Sequence, residues 1–154
     1  MPEISCLRKK YFKHERRVCK ESGSFAKLRL SGYRNKIALK SDSIERSKKM
    51  CDYFVFVKDH QFILSILELK EKNLGCDNVF EKLNNGSILI SSLFNECCLS
   101  VNKFLFFPIL LHHGARSPSE IKMLKTKTII FRGKKYWIIC EEGICELSDI
   151  ITKY

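Results

Sequence analysis

Two apolar runs set four residues apart constrain this chain more than any other feature. Tyr53 to Val57 reads YFVFV, and Phe62 to Leu69 reads FILSILEL. Aromatic and β-branched residues at this density favour strands. The polar Lys58 to Gln61 (KDHQ) between them reads as a turn, so the pair predicts a β-hairpin. The second run is apolar on both faces, which predicts a strand placed centrally in a sheet. A hairpin of this kind needs layers on both sides, and 154 residues suffice for one domain that supplies them.

The rest of the chain offers those layers. Residues 7–21 are rich in Lys, Arg and Glu and predict a basic helix, stopped by Ser22, Gly23 and Ser24. Phe25 to Leu30 alternates apolar and basic residues as a strand does, Gly32 to Lys36 reads as a turn, and Lys36 to Lys40 as a second short strand. Residues 41–49 read as a connection. Val79, Phe80, Leu83, Ile90, Leu93 and Phe94 recur at near-helical spacing. They predict a helix over 77–95, disturbed at Asn84, Asn85 and Gly86. Phe104 to Leu111 predicts a strand, with Pro108 arguing for an edge or a bulge. Ser117 to Leu124 reads as a short helix opened by Pro118. Lys127–Arg132 and Lys135–Cys140 read as a hairpin about Gly133, and 145–154 as a last short helix. The fold class expected is α/β, with a mixed central sheet flanked by helices.

Charge narrows the partners. The chain carries 28 Lys and Arg against 17 Asp and Glu, a net of +11. Residues 1–49 hold 15 basic and 5 acidic residues, so 15 − 5 gives +10 in the first third alone. A basic segment attracts polyanions, because neutralising phosphates releases condensed counterions. Nucleic acid is the expected partner. Arg8, Lys9, Lys10, Arg16, Arg17, Lys27, Arg29, Arg34 and Lys36 are the candidate phosphate contacts, gripping a backbone rather than reading sequence. No run reaches the roughly 18 apolar residues of a membrane span, so no membrane is expected. The start becomes charged before any apolar stretch, which predicts a cytoplasmic, nucleoid or nuclear protein. The eight cysteines are then expected to be reduced. Cys140-x₄-Cys145, Cys97-Cys98 and His112-His113 lack paired zinc knuckles, and buried thiols acting as small hydrophobes are the favoured reading. Trp137 and Tyr136 are placed in hairpin or core packing ahead of base stacking.

The chemistry concentrates at one end of the hairpin. Glu68 and Lys70 are two apart on a strand and share a face. Asp52 starts the neighbouring strand, so the turn brings all three together. Two carboxylates supply oxygen ligands for a hard divalent cation. A lysine beside them can orient water or stabilise charge on phosphate.

The stretch C51-D52-YFVFVKDHQFILSIL-E68-L69-K70 resembles the signature of the PD-(D/E)xK nucleases, the restriction-endonuclease-like superfamily. The resemblance covers residues 36–95. It implies a restriction-endonuclease-like core, phosphodiester hydrolysis and Mg²⁺ or Mn²⁺ held by Asp52 and Glu68, with Lys70 assisting. It departs from the pattern at Cys51, in place of proline, and at Glu71. Members often add an upstream acid. Glu45 is the nearest candidate, with Glu15 and Glu21 behind it. The Gln-containing motif of some members is absent, and Lys82 on the following helix could reach phosphate instead. The expected function is therefore a metal-dependent nuclease, with DNA ahead of RNA as substrate, acting alone, as a homodimer or in a larger complex. The alternatives are a non-catalytic nucleic-acid-binding module and a protein-interaction domain with a basic arm.

Overall fold

The computed structural model describes residues 2–21, 25–71, 73–114 and 117–154. In chain order the elements are α1 (Pro2–Tyr11), a 3₁₀ turn (Phe12–His14), β1 (Glu15–Arg16), β2 (Cys19–Lys20), β3 (Lys27–Arg29), β4 (Asn35–Lys40) and α2 (Ser41–Ile44). β5 (Tyr53–Lys58), β6 (Phe62–Lys70), α3 (Cys76–Cys98), β7 (Phe104–His112) and α4 (Pro118–Lys125) follow. β8 (Thr128–Phe131), β9 (Lys134–Trp137), β10 (Ile139–Glu142), β11 (Ile144–Glu146) and α5 (Leu147–Lys153) complete the fold.

The central sheet is mixed and runs β1-β4-β5-β6-β7-β10. β4, β5 and β6 form an antiparallel meander, with Tyr53 opposite both Lys40 and Leu67. α3 then carries the chain over to β7, which lies parallel to β6. β10 adds in parallel to β7.

Alternation along the strands divides the core in two. Phe54 and Phe56 of β5 and Phe62, Leu64 and Ile66 of β6 face one side, under α1, α3, α4 and β8. Tyr53, Val55 and Val57, with Ile63, Leu67 and Leu69, face the other, under Leu28 of β3 and Leu147 and Ile150 of α5. Cover on both faces is why these strands read as unbroken apolar runs rather than alternating ones. Five phenylalanines from four elements (Phe62, Phe94, Phe104, Phe106 and Phe131) link by ring contacts on the α3 side. Among the described residues no helix is long and apolar enough to cross a membrane.

Several expectations are corrected. The basic helix spans Pro2–Tyr11 rather than 7–21. Ile4 and Leu7 give it a buried face, but the apolar residues after Tyr11, Phe12 and Val18, are exposed. Residues 15–16 instead pair with β4, and 19–20 with β3. The proposed stop at Ser22–Ser24 lies outside the described residues. α3 runs through Asn84, Asn85 and Gly86 without a break. β7 is interior, but β10 pairs only with Ile109–His112. Pro108 therefore stands where one side of the strand carries no ladder, so the edge reading holds only locally. The 127–140 hairpin is shorter than expected, because after Ile138 the chain leaves β9 and joins the central sheet as β10. Residues 144–146 form a strand beside β3 before the last helix begins. The cysteines are not all free. Cys6 on α1 and Cys97 on α3 are joined by a disulfide, their Cα atoms 5.6 Å apart where the two helices pack.

Gly86 marks the closest approach of α3 to the sheet. A Cβ there would lie 2.5 Å from the Sγ of buried Cys51. Alanine ordinarily gains about 1 kcal/mol over glycine inside a helix. Here overpacking outweighs that gain, and Gly86→Ala is expected to destabilise the fold by ~1–2 kcal/mol in urea unfolding. Adding Cys51→Ala should restore most of the loss.

Candidate metal and phosphoryl-transfer site

The hairpin fixes Asp52 through its own backbone. Asp52 N–H donates to Leu67 O at 2.9 Å, and Leu69 N–H donates to Asp52 Oδ2 at 2.8 Å. These bonds clip the start of β5 to the end of β6. Glu68 projects between them toward α3, with Lys70 on the same face. Asp52 is 7% exposed and Glu68 only 1%. Lys82 of α3 donates to Glu68 Oε1 at 3.3 Å. Glu68 Oε2 is buried and, among the described residues, meets no N–H or ordinary O–H donor, so a proton shared with the adjacent Asp52 carboxyl is what hydrogen-bonds this pair. Leaving a buried carboxylate oxygen unsatisfied is costly, which favours that proton.

Two further acids reach the same end of the sheet. Carboxylate oxygens of Glu21, Asp42 and Asp52 all lie within 4.8 Å of one another. Glu21 arrives on the chain after β2, which Tyr53 anchors by donating its OH to Lys20 O at 2.7 Å. Asp42 sits on α2, and Ser41 locks that helix in place. Ser41 is fully buried, its N–H donates to Asp52 O at 3.1 Å, and its Oγ donates to Cys51 O at 2.6 Å. Lys40 lies within this group, 2.6 Å from Glu21 and 3.2 Å from Asp42, with its ammonium over the Tyr53 ring.

Of the predicted site residues, Asp52, Glu68, Lys70 and Lys82 are brought together. Glu45 is not. Its carboxylate accepts from the N–H and Oγ of Ser47, beside a separate cleft lined by Lys48, Met50 and Asn85. Glu15 is occupied by Arg8 at 3.0 Å. The upstream acids at the site are Glu21 and Asp42, because β4 ends at Lys40 and α2 turns the chain back before residue 45. The sequence predicts Lys40, Ser41 and Asp42 as a strand end and a connection, not as site residues. Their only signal is a polar Lys-Ser-Asp run following an apolar strand.

Arg8, Arg16, Arg17, Lys27, Arg29, Arg34 and Lys36 line one cleft of about 470 Å³ between the β1–β4 edge and β3. Lys9 and Lys10 are exposed on α1 outside that lining, with Lys10 3.6 Å from Glu96. Tyr136 packs edge-on against Phe106, while Trp137 is exposed. His113 touches the Phe25 ring, with centroids 4.9 Å apart.

Burial raises both inner carboxyls. Asp52 moves up to about 6 by desolvation, partly offset by the Leu69 N–H. Glu68 moves further, to about 8, by desolvation and the adjacent Asp52 charge, against the pull of Lys82 and Lys70. The pair therefore retains about one proton near neutrality.

No family model, no curated protein and no solved structure matches this chain.

The raised carboxyls predict an unusual pH dependence. Unfolded, both groups titrate near pH 4. Their contribution to stability is full below that point and is lost as pH rises through their folded values, toward about 8 for Glu68. Glu68→Gln should therefore raise the melting temperature at pH 9 by ~5 °C or more and change it little at pH 5. A wild type stabilised by these two groups on going from pH 5 to pH 9 would contradict this.

Proposed function

We propose that this chain is a divalent-cation-dependent nuclease with a restriction-endonuclease-like core. The element order supports the reading: a helix, the β4–β5–β6 meander, the crossover helix α3 and the parallel strand β7. The resemblance implies a mixed sheet flanked by helices, and in this arrangement Asp52 precedes the second meander strand while Glu68 and Lys70 close the third. The observation that carries the proposal is the buried Asp52–Glu68 carboxyl pair, in which, among the described residues, Oε2 of Glu68 meets no ordinary donor. An all-oxygen donor set of this kind fits Mg²⁺ or Mn²⁺.

Asp52 and Glu68 would hold the cation, with Glu21 or Asp42 as the third acid. Bound there, the metal would supply charge against a phosphodiester oxygen and lower the pKa of a water. Lys70 lies partly exposed at the mouth of the site and would neutralise charge developing on phosphate. Lys82, held by Glu68, keeps that carboxylate oriented and adds a second positive charge. The basic cleft would grip the backbone on either side of the scissile bond.

One observation favours a second reading. Lys40 already neutralises Glu21 and Asp42, as in a structural ion cluster. A module that binds nucleic acid without cutting it would need no more.

Cleavage of plasmid, linear duplex, single-stranded DNA and RNA separates the two. Cutting in Mg²⁺ or Mn²⁺, absent in EDTA and reduced at least ~100-fold in both Asp52→Ala and Lys70→Ala, is the expected result. Folded wild type that binds but cuts none of these substrates would select the binding module.

A further inference from the structure

The outward face of β3 runs into the basic cleft. Phe25, Lys27 and Arg29 alternate with buried Ala26 and Leu28, so the three point the same way. Phe25 is 67% exposed, an unusual position for a phenylalanine. Its ring rests on His113, whose N–H donates to Lys70 O at 3.0 Å. The aromatic end of the row thus lies beside the backbone of Lys70, with the Glu71 carboxylate accepting from Phe25 N–H at 2.8 Å. The basic end lines the cleft, which Arg17 and Arg34 also enter.

Among the described residues, Arg17, Lys27, Arg29 and Arg34 have no side-chain hydrogen bond or ion pair, whereas Arg8 is held by Glu15 and Lys36 by Leu30 O. Four unpaired cations converging on one concavity repel one another, and a polyanion removes that cost. Arg29 also lines the adjoining cleft with Glu141, Glu146 and Asp149, and Glu146 stands opposite it on β11, so the positive strip ends at Arg29.

The geometry points to a track for a single polynucleotide strand. We propose that one base stacks on the Phe25–His113 pair beside Lys70 while the following phosphates lie on Lys27 and Arg29 and enter the cleft. Phe25 to Arg29 spans roughly 13 Å at ~3.3 Å per residue. A duplex presents two backbones across a groove about 12 Å wide, and its stacked bases offer no free face to Phe25. An exposed aromatic in series with unpaired cations along one cleft is how single strands are held without sequence preference.

This deepens the nuclease reading by naming its substrate form, but its test does not require cleavage. A 20-mer oligodeoxynucleotide carrying 2-aminopurine is titrated in EDTA, alone and as a blunt duplex. The track predicts fluorescence quenching and binding about tenfold tighter for the single strand. Phe25→Ala should abolish the quench and weaken binding about tenfold, while Phe25→Trp retains both. Lys27→Ala with Arg29→Ala should flatten the salt dependence by about one to two units of slope. Equal or tighter duplex binding, a quench unchanged in a folded Phe25→Ala, or no binding of either form overturns the track. Quenching without cleavage in metal would instead overturn only the nuclease reading.

Discussion

Two carboxyl groups buried side by side at the end of a hairpin set the terms for everything around them. Removing a charge from water is expensive, and two like charges in contact compound the cost. Asp52 is compensated by the Leu69 N–H, which the hairpin register supplies without any special residue. Glu68 is compensated on one oxygen by Lys82, and its pairing with Asp52 requires a proton between the two carboxyls.

The surrounding fold holds that site rigid. Both faces of β5 and β6 are packed, so a shift of register would misfit their side chains against two close-packed layers. α3 lies so close that Gly86 leaves no room for a side chain over Cys51, the residue before Asp52. The same helix delivers Lys82. On the other side, Ser41 ties α2 to the Cys51 and Asp52 carbonyls, which places Asp42 near Asp52. Residues of β2, β4, α2, β5, β6 and α3, or of the chain beside them, thus gather four acids and three lysines at one end of the sheet.

The hairpin, the long helix and the convergence of Asp52, Glu68 and Lys70 were legible because they follow from alternation and strand length alone. Fully apolar strands announce two covered faces, and a four-residue turn leaves little freedom in register. The N-terminal third was less legible. Charged residues there hide two short strands, since Arg16 and Lys20 pair through backbone atoms that composition does not reveal. Glu45 lost its place to Glu21 and Asp42 for a similar reason: a four-residue helix reverses the chain, and only tertiary packing of Ser41 explains it. The Cys6–Cys97 bridge depends on α1 lying along α3, a contact between distant segments. Phe25 looked like a strand residue and proved to be an exposed ring beside the site.

In the function proposed, the buried acid pair would exchange its proton for a cation. Isothermal titration of Mn²⁺ at pH 7 in buffers of different ionisation enthalpy tests it directly, because it counts protons released per metal bound. The account predicts one-to-one binding that releases about one proton, tightens as pH rises, and loses the release in Glu68→Gln. Binding with no proton release, or no difference between wild type and Glu68→Gln, would contradict it.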